Sequence, residues 1–144
     1  IRRDHIESLE KVISKKGSWV VNIRSAGNIL RGENYIYAFP EVIKNRKIIV
    51  RDEVVSSIRI DLNNLKTDEI DSKIRILLAS TLAEVKRRGS ISSEININPA
   101  EINNVVSQIL NSENPFIQLN SVSMSNCDTA DPVSVRLDIV EYKP

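Results

Sequence analysis

Residues 67–89 read TDEIDSKIRILLASTLAEVKRRG, and every local signal in them points the same way. Ile70, Ile74, Leu77, Leu78, Leu82 and Val85 recur at three- and four-residue spacing, which lines one face of an α-helix with apolar side chains. Thr67 or Asp68 can cap its start, and Glu69 and Asp71 sit where the positive end of the helix dipole favours acids. Lys86, Arg87 and Arg88 fall in the last turn, where cations are favoured, and Gly89 can take the left-handed conformation that closes a helix. With Leu78 in the buried stripe, Leu78→Ala is expected to cost about 2–5 kcal/mol.

Working toward the C-terminus, Ile91, Ile95 and Ile97 alternate with Ser92, Glu94 and Asn96, the pattern of a strand exposed on one side. Asn98-Pro99-Ala100-Glu101 reads as a capping box with proline at the first helical position. Ile102, Val105, Val106, Ile109 and Leu110 then form a second helical stripe. After the Asn114-Pro115 turn, Ile117 and Leu119 keep one phase, while Val122 and Met124 fall in the other. Such a one-residue slip is expected from a β-bulge. The last strand carries Val133, Val135, Leu137 and Ile139 on one face, with a second slip expected before Val140 and Tyr142.

Toward the N-terminus, Ser57 to Leu62 places Ile58, Ile60 and Leu62 on one face of a strand and Arg59 and Asp61 on the other. Lys47 to Val50 and Trp19 to Arg24 are further strands. Gly27-Asn28 is a turn dipeptide of the hairpin type. Tyr35, Tyr37 and Phe39 alternate along the next strand, expected to face a core, and Pro40 is expected to end it. Ile6, Leu9, Val12 and Ile13 form a short helical stripe behind Asp4, stopped by Gly17, with Arg2, Arg3, Lys11, Lys15 and Lys16 on its polar side. The expected fold is therefore α+β: residues 1–144 as one domain, a two-layer sandwich in which two amphipathic helices cover one face of a mainly antiparallel sheet, plus a short N-terminal helix.

Composition agrees. The 144 residues fit a single domain, and isoleucine and valine supply 35 of them against 4% aromatics, a bias toward strands. Residues 1–66 hold 13 Lys/Arg and 8 Asp/Glu, and residues 67–144 hold 7 and 11. The overall +1 thus conceals opposite charges on the two halves, which can bring subunits or partners together head to tail. The chain starts at Ile1 rather than Met, so an upstream segment is expected, and membrane association is expected only through it. Apolar runs fall far short of the roughly 20 residues that span a bilayer.

Catalytic and cofactor chemistry find little support. His5 is the single histidine and Cys127 the single cysteine, too few ligands for zinc. The thiol's nearest charges in sequence are Asp128 and Asp131, whereas a nucleophilic thiol needs a base or cations. Those two acids are too few to cage a hard cation, and Asp68, Glu69 and Asp71 are accounted for by helix capping. Gly17, Gly27, Gly32 and Gly89 stand in no phosphate-binding arrangement. No cofactor is expected; catalysis by carboxylates alone stays open. Nucleic-acid binding is the alternative reading, through Arg46 and Lys47 together with Arg87 and Arg88, if these side chains converge on phosphates.

One stretch has relatives in form. A helix ending Asn111-Ser112-Glu113-Asn114-Pro115, followed by Ile117-Gln118-Leu119, a loop, Val133-Ser134-Val135-Arg136-Leu137-Asp138-Ile139 and Tyr142, resembles the close of the phage baseplate wedge proteins related to the tail lysozyme. Asn114 displaces the proline of their Glu-Pro-Arg, and Phe116 stands at the arginine. The same ending resembles the ferredoxin-like periplasmic domains of type IV pilus and type II secretion alignment proteins. What the two unrelated families share is the helix-strand-strand unit, and both resemblances imply non-catalytic assembly proteins. The expected function is an interaction or assembly domain of a larger machine of secretion, pilus or phage-tail type, binding a protein partner or itself. The final strand is the expected edge, with Val133, Val135, Arg136, Leu137, Asp138 and Tyr142 as the candidate contact residues. Arg136, Asp138, Pro132 and Pro144 are the groups that could instead blunt it.

Overall fold

A computed structural model describes residues 3–28, 30–32 and 34–143; Arg2 and Pro144 lie outside the described residues. The chain divides into two compact units, Ile1–Arg46 and Lys47–Pro144.

The second unit is built around residues 67–89. Helix α2 spans Thr67–Arg87, and its end is a complete Schellman motif: the Ser90 amide reaches Val85 O at 2.9 Å and the Gly89 amide reaches Lys86 O at 3.0 Å, with Gly89 at φ +109°. Its start differs from expectation. Lys66 is the N-cap, and Glu69 Oε2 accepts from the Lys66 amide at 3.4 Å, so the acid of the first turn does the capping and not Thr67 or Asp68. Helix α3 spans Pro99–Leu110, with Asn98 Oδ1 accepting from the Ala100 amide at 3.0 Å.

Both helices cover one face of a four-stranded sheet formed by β4 (Val54–Asp61), β6 (Phe116–Ser123), β8 (Val133–Glu141) and β5 (Ile95–Asn96), in the order β4-β6-β8-β5. The first two pairings are antiparallel and β5 joins β8 in parallel. Ile70, Ile74 and Leu77 of α2, Val105 and Ile109 of α3, and Ile60, Ile117, Leu119 and Leu137 of the sheet form one buried cluster. A second cluster joins Val85, Val133 and Val135 to Ile48, Ile49, Val55 and Cys127, which come from β3 (Lys47–Ile49), β4 and β7 (Cys127–Asp128). The expected α+β sandwich with both helices on one face is the observed architecture. No helix among the described residues is long and apolar enough to cross a membrane.

Several details correct the sequence reading. The expected strand from Ile91 to Ile97 shrinks to Ile95–Asn96, because only these two residues find partners, Val133 and Ser134. β6 has no slip: it runs against β8 without interruption, so Val122 lies on the face opposite Ile117 and Leu119 and is buried there, and the irregularity lies in β4 between Val54 and Ser56. Likewise no slip precedes Val140 and Tyr142, which belong to the face away from the helices, Tyr142 N donating to Phe116 O at 3.2 Å. Leu110 is 52% exposed, and Leu78 is half-buried between the two clusters.

The first unit contains α1 (Arg3–Ile13), β1 (Trp19–Ser25) and β2 (Ala38–Lys44), the strands pairing antiparallel from Trp19↔Lys44 to Ser25↔Ala38. Gly27-Asn28 does not close a tight hairpin; residues 26–37 connect the strands, so Tyr35 and Tyr37 lie in the connection. Pro40 sits inside β2 opposite Ile23 rather than ending it. The Ala26 amide bonds Tyr37 O and the Asn45 amide bonds Ser18 O. That alternation turns position 40 outward, where a missing N–H costs the ladder nothing.

Leu77 is 1% exposed in the larger cluster. Leu77→Ala should lower the unfolding free energy by about 2–5 kcal/mol in urea titration, and Leu110→Ala by less than about 1 kcal/mol. Equal losses at the two positions would show that Leu110 is packed in solution.

Candidate partner-binding surface

The residues proposed from the last strand part company in the fold. Val133, Val135 and Leu137 are core side chains, at most 6% exposed, so a partner cannot touch them. Nor is β8 an open edge along its length. Val133 and Ser134 pair with β5, and the Leu137 amide donates to Glu101 Oε1 of α3 at 2.8 Å. The acid expected to complete the capping box with Asn98 thus reaches across to β8 and occupies an edge amide. The elements that cover this strand precede it in sequence, which is why its terminal position misled.

Arg136, Asp138 and Tyr142 project on the opposite face of the sheet. Arg136 Nη1 lies 2.8 Å from Asp52 Oδ1 and its Nε 3.2 Å from Asp138 Oδ1. The Asp52 hydrogen bond is the foremost reason that the guanidinium pKa is raised. Asp52 itself sits at φ +67° in the turn before β4, a region that aspartate tolerates better than most residues. Tyr142 packs against Phe116 with ring centroids 6.0 Å apart, and the Arg59 guanidinium carbon lies 5.0 Å from the Tyr142 ring centroid, within cation–π range.

The four basic candidates are divided between the two units. Arg46 closes the first unit, whereas Lys47, Arg87 and Arg88 belong to the second. Arg87 grips Glu84 with two hydrogen bonds of 2.8 Å. Arg88 Nε reaches Glu84 Oε1 at 2.8 Å, and its Nη1 reaches Glu53 Oε1 at 2.5 Å and Ile48 O at 3.4 Å. This network ties the C-terminal end of α2 to the β3–β4 turn and engages the charge that phosphates would need. The bonds from Arg87 and then Arg88 hold the Glu84 carboxyl at about 2, and the Val50 amide, followed by Arg88, lowers that of Glu53.

Two surfaces escaped the sequence reading. The first unit buries none of its described side chains. Ile23, Leu30, Tyr35, Ile36, Tyr37 and Phe39 are 58–79% exposed, so the aromatic row expected in a core faces outward. A cavity of about 310 Å³ between α1 and β2 is lined by His5, Ser8, Leu9, Val12, Phe39 and Pro40. The second surface is the outer side of β4, which ends the strand order. The alternation of Arg59 and Asp61 was legible; that the strand is an edge was not.

The chain is thus an α+β sandwich with one helix-covered sheet face, joined in sequence to an apolar helix-and-hairpin unit. Residues 50–143 match the DUF3084-associated C-terminal helical hairpin, and the chain belongs to that family. The matched span contains α2 and α3 together with the sheet strands they cover. The chain is also similar to the uncharacterized protein alr4393 of Nostoc sp. strain PCC 7120, 26% identical over 141 residues, covering 98% of this chain. The chain spans 28% of that relative's length. No solved structure matches.

Glu84 supplies a pH test. Its folded pKa of about 2 lies below the ordinary 4.5. Its contribution to stability is therefore complete above pH 4.5 and is lost as pH falls from there toward 2. Glu84→Gln should flatten the acid-unfolding profile in that window and leave the neutral range without added slope. An unchanged acid limb would mean the Arg87–Glu84–Arg88 contact is absent in solution.

Proposed function

We propose that the chain is a non-catalytic interaction domain of a larger protein assembly, and that the Ile1–Arg46 unit is where a protein partner docks. The observation carrying this reading is the lack of a core in that unit: α1, β1 and β2 bury no described side chain, while six large apolar residues stand more than half exposed. Exposed large apolar side chains, where they adjoin, mark interaction sites in folded proteins, and so small a unit rarely holds together without outside support. Charge adds to it. Residues 1–46 carry 9 Lys/Arg and 5 Asp/Glu, and residues 47–144 carry 11 and 14, so the apolar surface sits in a basic setting that favours an acidic partner.

Replacing Tyr37 with a photoreactive benzoylphenylalanine in the full-length protein, in its own cells, should give discrete intermolecular adducts on irradiation. The same group at Gln108, an exposed position of α3, should not. Adducts confined to the same polypeptide, or equal yields at both positions, would sink the reading. Binding to a mixed single-stranded or duplex nucleic-acid probe should be weaker than about 10 µM at physiological salt. Sub-micromolar binding abolished by changing Arg46, Lys47, Arg87 and Arg88 to Glu would put nucleic acid in the partner's place.

A further inference from the structure

The sheet of the second unit has one long unpaired side. In the β4–β6 ladder the Leu62 amide bonds Pro115 O at 2.8 Å, so the hydrogen-bonded pairs are Leu62/Pro115, Ile60/Ile117 and Ile58/Leu119. The intervening residues Ser57, Arg59 and Asp61 therefore turn their main-chain N–H and C=O groups away from β6, to the side where no strand of the described residues pairs. Of the devices that blunt an edge, β4 has a bulge between Val54 and Ser56, which precedes the outward-facing stretch Ser57 to Asp61. No proline occurs in Val54–Asp61. The Arg59 side chain leans back across β6 onto Tyr142 and does not shield the edge. On β8, by contrast, β5 and Glu101 already occupy part of the outer side.

We propose that this edge pairs antiparallel with β4 of a second copy of the chain, about a twofold axis at Ile60 that sets Arg59 opposite Asp61 in both directions. The proposal goes beyond the docking role of the apolar unit and uses residues of Lys47–Pro144 alone. Residues directly opposite in an antiparallel pair point to the same face and interact. An axis at Ile60 pairs each Arg59 with the second copy's Asp61, and those are also the residues whose main-chain groups face outward. An axis at Arg59 would bring two guanidinium groups together, which is unfavourable. On the helix side, Ile60 is already taken up by its own core, and the same register sets Ile58 opposite Leu62, both half-buried apolar residues.

The flank of α2 next to β4 carries small side chains. Ser80 bonds Ser56 of β4, Oγ to Oγ, at 2.9 Å. Ser80 lies on the flank of α2, off the buried stripe of Ile70, Ile74, Leu77, Thr81 and Val85, and its bond holds that flank to β4. Along that flank stand Ile76, 55% exposed, and the small Ser80 and Ala83, which allow a neighbouring helix to approach to the usual 8–10 Å. The match is isologous: one self-complementary patch, used twice, closes as a dimer and goes no further.

The test is sedimentation velocity on the 144-residue chain over a concentration series, with R59D and D61R each alone and mixed in equal amounts. Wild type should sediment as a dimer. Each variant alone places like charges opposite one another, so its dissociation constant should rise by about tenfold or more. The mixture should recover dimer, because every acid introduced by R59D then faces a base introduced by D61R. Asp61 also caps the turn after β4 through the Asn63 amide, so circular dichroism must show D61R folded; if it is not, R59D mixed with D61K makes the same comparison. In the wild-type dimer the Ser57, Arg59 and Asp61 amides should exchange slowly, and in R59D quickly. A monomeric wild type, a dimer indifferent to both variants, or a mixture that stays monomeric would each overturn the proposal. None of these results bears on cross-linking at position 37, which reports on the apolar unit separately.

Discussion

Burial of Ile70, Ile74 and Leu77 against Ile60, Ile117 and Leu119 is the contact from which the rest of the second unit follows. Each such side chain contributes about 1.5–3 kcal/mol when taken fully out of water, and here they are contributed by a helix and by strands far apart in sequence. Once α2 lies on that face, its Schellman end delivers Arg88 to Glu53 and Ile48, which fixes the turn leading into β4. The polar exceptions respect the same surface. Thr81 sits fully buried in the helix stripe, and its hydroxyl donates to Leu77 O at 2.8 Å, which offsets the cost of burying it.

The same constraint separates the two units in character. Both buried clusters draw only on residues from Ile48 onward, whereas the unit before it has paired strands and a helix but no buried side chain among those described. Strand pairing alone gives little stability to a two-stranded hairpin. Its large apolar residues are left exposed rather than packed inside, and the family match beginning at residue 50 falls almost at the boundary where the core starts.

Edge management explains where the sheet is open. A carboxylate from α3 and a two-residue strand take up part of the outer side of β8, whereas β4 is left with outward main-chain groups at Ser57, Arg59 and Asp61. Terminal position in the sequence proved a poor guide to edge position, because a strand's neighbours are chosen by the face it must bury and by the connections available.

The sequence by itself determined the elements whose signals are local. The stripe and glycine stop of α2, the Asn98-Pro99 start of α3, and the alternation of Ile58 and Ile60 with Arg59 and Asp61 could be read directly, since each depends on neighbours within a few residues. Periodicity also determined that both helices needed an apolar sheet face. Only the tertiary structure decided that Glu101 would leave its own helix end for the Leu137 amide, that Arg87 and Arg88 would be engaged by Glu84 and Glu53, and that Tyr35 and Tyr37 would lie outside any strand. It also placed the bulge in β4 and the open edge on the same strand. These outcomes depend on which distant residues arrive alongside, and a spacing pattern along one segment carries no record of what packs against it from another.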